Sequence, residues 1–299
     1  MSTLPVIAAV DGSEDSLRAL DWAADAARAR TAPLQVVHVR QYVAWAQPGA
    51  PVVLPPPPEE DPVLTDARAR LETRGQAPAA AYIGIDGAPA AALPELAADA
   101  QLLVLGSRGR GGFTSLLLGS NGMTAAREAP CPVVVVPRPD RTVEGALPGE
   151  PGPRVVVGLN ADGPDETTLE FAFTEAELRR ARLQVVAAYP WPAQTWSTHG
   201  EILPPAVDQA AVEAETRALT EGFLAPHRER HPEVRAEPSV LPGDAAGNLV
   251  AASQGADLIV VGRHRRRILA PRLLGSVTHA VLLHAVCPIA VVPPHPPEE

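Results

Sequence analysis

Short apolar runs recur along the chain with helical patterns between them. Leu4 to Val10 is such a run and stops at Asp11-Gly12-Ser13, which predicts a buried strand ending in a turn. Ser13, backed by Glu14 and Asp15, then caps a predicted helix whose apolar face includes Leu17, Leu20 and Ala24. Leu34 to Val39 predicts a second strand, Pro62 to Arg74 a helix, Ala79 to Ile85 a strand and Pro89 to Ala98 a helix. Strands at Leu102 to Leu105 and Val133 to Val136 complete the order βαβαβαβαβ. That alternation predicts a parallel sheet covered by helices on both faces.

The same order then repeats. Strand Arg154 to Leu159, helix Asp165 to Arg180, strand Leu183 to Tyr189, helix Ala206 to Glu229, strand Val234 to Leu241, helix Ala245 to Ser253 and a strand from Leu258 follow in turn. From Gly106 to Gly119 is 13 residues, and from Gly262 to Gly275 is 13 again. Both stretches end in Cys-Pro and a valine-rich strand, so the chain reads as a tandem duplication. The predicted domains are 1–139 and 154–294, with a proline- and glycine-bearing linker at 140–153. Gln41 to Asp61, with Trp45 and Pro55 to Pro58, predicts a surface excursion, and a loop with Trp191 and Trp196 stands at the matching place in the second half. The tail from His295 to Glu299 predicts disorder.

The most informative stretch runs from Leu102 to Pro137. An apolar strand stops at Gly106, and four glycines between Gly106 and Gly112 then cross a loop containing Arg108 and Arg110. Gly119 and Ser120 open a helix whose first residues, Ser120, Asn121 and Thr124, carry capping side chains. Free N–H groups and the positive end of a helix dipole facing a glycine loop make a phosphate site.

Composition narrows the chemistry. Of 299 residues, 46% are hydrophobic but only 4% aromatic, which predicts aliphatic cores. The net charge of −10 leaves no basic surplus for general nucleic-acid binding. No apolar run approaches the ~20 residues of a membrane span, and the N-terminus lacks a signal-peptide pattern, so a cytoplasmic location is expected. All 25 basic residues are arginine, which excludes a lysine-dependent phosphate loop and Schiff-base chemistry. Cys131 and Cys287 read as small buried hydrophobes, with no metal-ligand spacing around them. His38 falls on a buried strand and reads as a core histidine, and no catalytic set is recognisable.

Gly106-x-x-Gly109, nine residues and Gly119-Ser120, with Asp11 ending the first strand, resemble the nucleotide signature of the universal stress protein family. The resemblance covers nearly the whole chain as two copies. It implies an α/β fold of two doubly wound, Rossmann-like five-stranded sheets of order 3-2-1-4-5, with ligand in the crevice at the switch point. It also implies that the last strands of the two halves, Val133 to Val136 and Ile289 to Val292, pair as an internal pseudo-dimer. Paired antiparallel, those strands put Cys131 and Cys287 at opposite ends, so no disulfide between them is expected. Homodimerisation of whole chains is left open.

By that resemblance the cofactor is ATP, with or without magnesium, and the roles fall on Asp11, Val39, Gly106, Arg108, Gly109, Gly119 and Ser120. Asp11 contacts the nucleoside and Val39 offers backbone groups to adenine. Gly106 and Gly109 let the main chain approach the phosphates, Gly119 and Ser120 present N–H groups and a hydroxyl, and Arg108 or Arg110 reaches phosphate oxygens. A structural alternative is that Asp11 only caps the first helix and the glycines only make turns. In the second half Asn160 stands in place of Asp11 and Arg265 in place of Gly109. That leaves a weakened site, a site gripped by Arg263, Arg265, Arg266 and Arg267, or a solvated loop. The implied function is an ATP-binding stress-response or regulatory protein with an unidentified protein partner. A slow ATPase or adenylyl-transfer enzyme and a nucleotide-independent interaction protein are the alternatives.

Overall fold

The structure, a computed structural model, describes residues 4–41, 60–75, 79–109, 118–143, 152–189, 195–196, 202–203, 208–263 and 274–295. Most of the excursion after Gln41, the middle of the linker, Arg110, the loop bearing Arg265 and the last four residues lie outside the described residues.

The first half runs β1 (Val6–Ala9), α1 (Glu14–Ala29), β2 (Leu34–Arg40), α2 (Pro62–Thr73), β3 (Ala80–Asp86), α3 (Pro89–Leu96), β4 (Leu102–Gly106), α4 (Ser120–Glu128) and β5 (Val133–Val136). The second runs β6 (Arg154–Leu159), α5 (Glu166–Arg179), β7 (Arg182–Tyr189), β8 (Thr195–Trp196), β9 (Ile202–Leu203), α6 (Gln209–Arg230), β10 (Ala236–Pro242), α7 (Ala245–Ala252), β11 (Leu258–Gly262), α8 (Ser276–His284) and β12 (Ile289–Val292). The β8–β9 ladder lies in the second excursion, which the sequence reads only as loop.

Each half is a parallel sheet of order 3-2-1-4-5, and the two are continuous. The whole sheet has ten strands in the order β10-β7-β6-β11-β12-β5-β4-β1-β2-β3. Among the described residues of this sheet only β5 and β12 meet antiparallel, with Val135 opposite Ile289 and Val133 opposite Val291. Both are wholly buried four-residue strands of branched and small side chains. Pairing them removes the two apolar edges that separate halves would expose.

Helices α1, α2, α5 and α6 cover one face of the sheet and α3, α4, α7 and α8 the other, and each core layer contains residues from both halves. On the first face, Arg30 at the end of α1 and Arg179 of α5 both pair with Glu175, whose side chain is fully buried. Burial lowers both guanidinium pKa values to about 10, which leaves them charged at neutral pH. Arg179 also lies 5.1 Å over the Trp22 ring of α1. On the second face the halves cap each other's helices. Arg141 donates to Ala285 O (2.9 Å) at the end of α8, and Arg263 donates to Ala129 O (2.8 Å) at the end of α4. Cys131 and Cys287 are buried free thiols, which burial pushes up to about 12.

Candidate nucleotide cleft

β1 and β4 lie side by side in the first sheet and end at the same edge, where the chain turns to opposite faces. Outside their carboxyl ends is a cleft of about 620 Å³. Asp11, Val39, Gly106, Arg108, Gly109, Gly119 and Ser120 all line it. Its lining combines apolar side chains, Val37, Val39, Leu93 and Leu105, with polar ones, Ser16, Ser107, Arg108 and Ser120.

Asp11 is held in place by its own turn. Ser13 N–H (3.0 Å) and Ser13 Oγ (2.6 Å) both donate to Asp11 Oδ1. Ser13 remains the N-cap of α1, its Oγ accepting from Ser16 N–H (3.2 Å), and Arg108 O lies 3.3 Å from the same hydroxyl. The helix is therefore capped by Ser13, and Asp11 braces that cap.

The two glycines of the loop also have reasons within the fold itself. A β-carbon on Gly106 would lie 2.6 Å from the main chain of Asp15, so Gly106 lets the start of α1 press against β4. A β-carbon on Gly109 would lie 2.3 Å from Asp11 Oδ2. Neither glycine has a positive φ. The requirement at 109 is space beside Asp11 rather than a left-handed backbone.

On the cleft's lining α4 starts behind Gly119, which has no side chain to cap it. Gly119 N–H is itself taken by Ser107 O (2.8 Å), so Gly119 does not offer the N–H group expected of it. The capping side chains expected at Ser120, Asn121 and Thr124 sit inside the helix instead, leaving the first-turn N–H groups of Ser120, Asn121 and Gly122 for a ligand.

The sequence pattern that describes the universal stress protein family matches residues 4–137 and again 153–293. The chain belongs to the universal stress protein family. A universal stress protein of Mycobacterium tuberculosis is 33% identical over 298 residues, covering 96% of each chain. A second from the same organism is 30% identical over 301 residues, covering 97% of this chain and 96% of its own. The fold is shared with the crystal structure of a universal stress protein from Archaeoglobus fulgidus, at 16% identity and a TM-score of 0.64, covering 98% of this chain and 99% of that one.

Within this family frame, several cleft residues escape sequence reasoning. Ser107 and His38 are two. His38 is not a core histidine in isolation: its Nδ1 lies 2.8 Å from Asp61 Oδ2, and Asp61 is the N-cap of α2, accepting from Val63 N–H (2.9 Å). Their separation of 23 positions leaves no local pattern to find.

The second half is built differently at the matching place. Asn160 Oδ1 accepts from Asp162 N–H (3.2 Å), and the helix cap, Asp165, comes five positions after Asn160, whereas Ser13 comes two after Asp11. A β-carbon on Gly262 would lie 2.8 Å from the side chains of Asp165 and Thr168. Gly275, like Gly119, precedes its helix without a side-chain cap. Among the described residues no group of His, Cys, Asp or Glu could hold a metal ion, and no helix is long and apolar enough to cross a membrane.

Proposed function

We propose that the cleft of the first half binds an adenine nucleotide, ATP in the first instance, and that the protein acts as a nucleotide-responsive regulator. The observation that supports this reading most strongly is a cleft at the sheet's switch point whose lining includes an uncapped helix start. Its volume suits a nucleotide-sized ligand, and its lining offers apolar side chains for a base and polar groups for phosphates.

In this reading Val39 offers its main chain to the base beside Leu93, and Asp11 accepts a hydrogen bond from a ribose hydroxyl. The first-turn N–H groups of α4, the Ser120 hydroxyl and the Arg108 guanidinium take the phosphates. Gly106 and Gly119 contribute by lacking side chains, and Gly109 by leaving room for Asp11. Magnesium would enter with the phosphates, since the described residues hold no metal cluster of their own. Domains 1–139 and 154–294 would then divide the labour, the first binding ligand and the second completing the sheet.

Thermal unfolding with ATP, ADP, AMP, cyclic AMP and GTP tests this. A ligand at about 100 times its Kd adds about 2.7 kcal/mol, which for a chain this long raises Tm by about 4 °C. Adenine nucleotides are expected to give that shift and GTP none. No shift with any adenine nucleotide overturns the reading.

A further inference from the structure

We propose that Asp15 is the positioning residue of the cleft, and that through it the cleft is tied to the second half of the molecule. The proposal rests on the reading of the cleft as a nucleotide site, but the placement it describes can be tested without ligand. Asp15 sits in the first turn of α1 with its side chain only 3% exposed. It accepts from Ser107 Oγ (3.1 Å) on one oxygen and from Arg138 Nε (3.2 Å) on the other, and pairs with Arg18.

Ser107 joins three elements. Its N–H donates to Val136 O (3.0 Å) of β5, its carbonyl accepts from Gly119 N–H (2.8 Å) ahead of α4, and its hydroxyl reaches Asp15. The loop between β4 and α4 is thus hung from α1 by one buried carboxylate. Gly106 makes this possible, because any side chain there would push Asp15 away.

Arg138 carries the same carboxylate outward. It lies two positions beyond β5, and three positions later Arg141 donates to Leu282 O (3.4 Å) and Ala285 O (2.9 Å) at the end of α8. A segment of four residues therefore runs from the floor of the cleft to the second half. The duplicated half does not keep this arrangement: Thr167 stands in place of Asp15, Arg263 in place of Ser107 and Pro294 in place of Arg138. At these matched positions the carboxylate, the hydroxyl and the guanidinium occur together in the first half and not in the second.

Hydrogen exchange of the ligand-free protein tests the placement, with Asp15→Asn and, as a variant outside the core, Arg138→Met. Asp15→Asn should raise exchange about fivefold in peptides covering both 105–109 and 281–287, with the 62–73 helix unchanged. Arg138→Met should raise it at 281–287 with little change at 105–109. Titration with ATP should show about tenfold weaker binding for Asp15→Asn. Unchanged exchange at both places, or a uniform rise across the chain, overturns the proposal whether or not ATP binds. Failure of the wild type to bind ATP overturns the functional reading instead, and the exchange data still decide the role of Asp15.

Discussion

Gly109 and Asp11 share a contact that only glycine permits: a β-carbon at 109 would stand 2.3 Å from Asp11 Oδ2. The obstructed atom is the end of a side chain that can turn away. Gly109→Ala should therefore cost about 1 kcal/mol of stability, while displacing Asp11 and weakening ATP binding about tenfold. Urea denaturation and ATP titration of the same preparation check the split.

Gly106→Ala should behave in the opposite way. Its β-carbon meets the main chain of Asp15 and Ser16 at 2.6 and 2.9 Å, and a helix backbone cannot step aside alone. A loss of about 3 kcal/mol is expected, read as a lower urea midpoint. A midpoint within experimental error of the wild type would show that α1 and β4 do not press together here.

Glu175 balances two guanidinium groups where the halves meet, Arg30 from α1 and Arg179 from its own helix. Glu175→Ala leaves both buried without their carboxylate partner and should cost about 3–5 kcal/mol. Adding Arg30→Met should recover part of that loss, since it removes one of the stranded charges. Denaturation of the two variants side by side measures the recovery.

A histidine clasp gives the second half a pH dependence. His231, the C-cap of α6, lies 2.9 Å from Glu177 and 3.1 Å from Glu170 of α5, and stacks on Phe173. Burial works to lower the His231 pKa, but the hydrogen bonds and charges of Glu177 and Glu170 outweigh it and the net shift is upward. Burial likewise works to raise Glu170, and His231, Arg230 and His227 outweigh it in the downward direction. The clasp is complete below the ordinary histidine value of about 6.5 and fades as pH rises through the folded value. On the acid side it holds above the ordinary carboxylate value of about 4.3 and is lost as pH falls through the folded one. The stability difference between wild type and His231→Gln should be largest between the ordinary carboxylate and histidine values, near pH ~5.5, and shrink as pH rises through the raised His231 value.

Local patterns carry far in this chain, and then stop. Strand β6 matches its apolar run at both ends, and α1 starts at the cap that Ser13-Glu14-Asp15 announces. The duplication is visible in Gly106, Gly119, Gly262 and Gly275 alone. What cannot be read is contact across the fold. Arg30 and Glu175, or Asp15 and Arg138, come from elements far apart in the chain, and nothing near either residue points to the other. Gly106 and Gly109 stand out in the sequence by their spacing, which says nothing of the neighbours they exclude. The excluded neighbours, the α1 backbone and the Asp11 carboxylate, emerge only from the packing. The β8–β9 ladder is missed because two-residue strands have no period to detect.

The most direct measurement is calorimetric titration of the full chain with ATP and magnesium, beside Gly109→Arg, which copies the second half's Arg265 into the first. The expected result is one site per chain at micromolar Kd, about −8 kcal/mol, abolished by Gly109→Arg. Binding that survives Gly109→Arg unchanged would contradict the placement of the nucleotide beside Asp11 and Gly109, and no binding to the wild type would contradict the nucleotide reading itself.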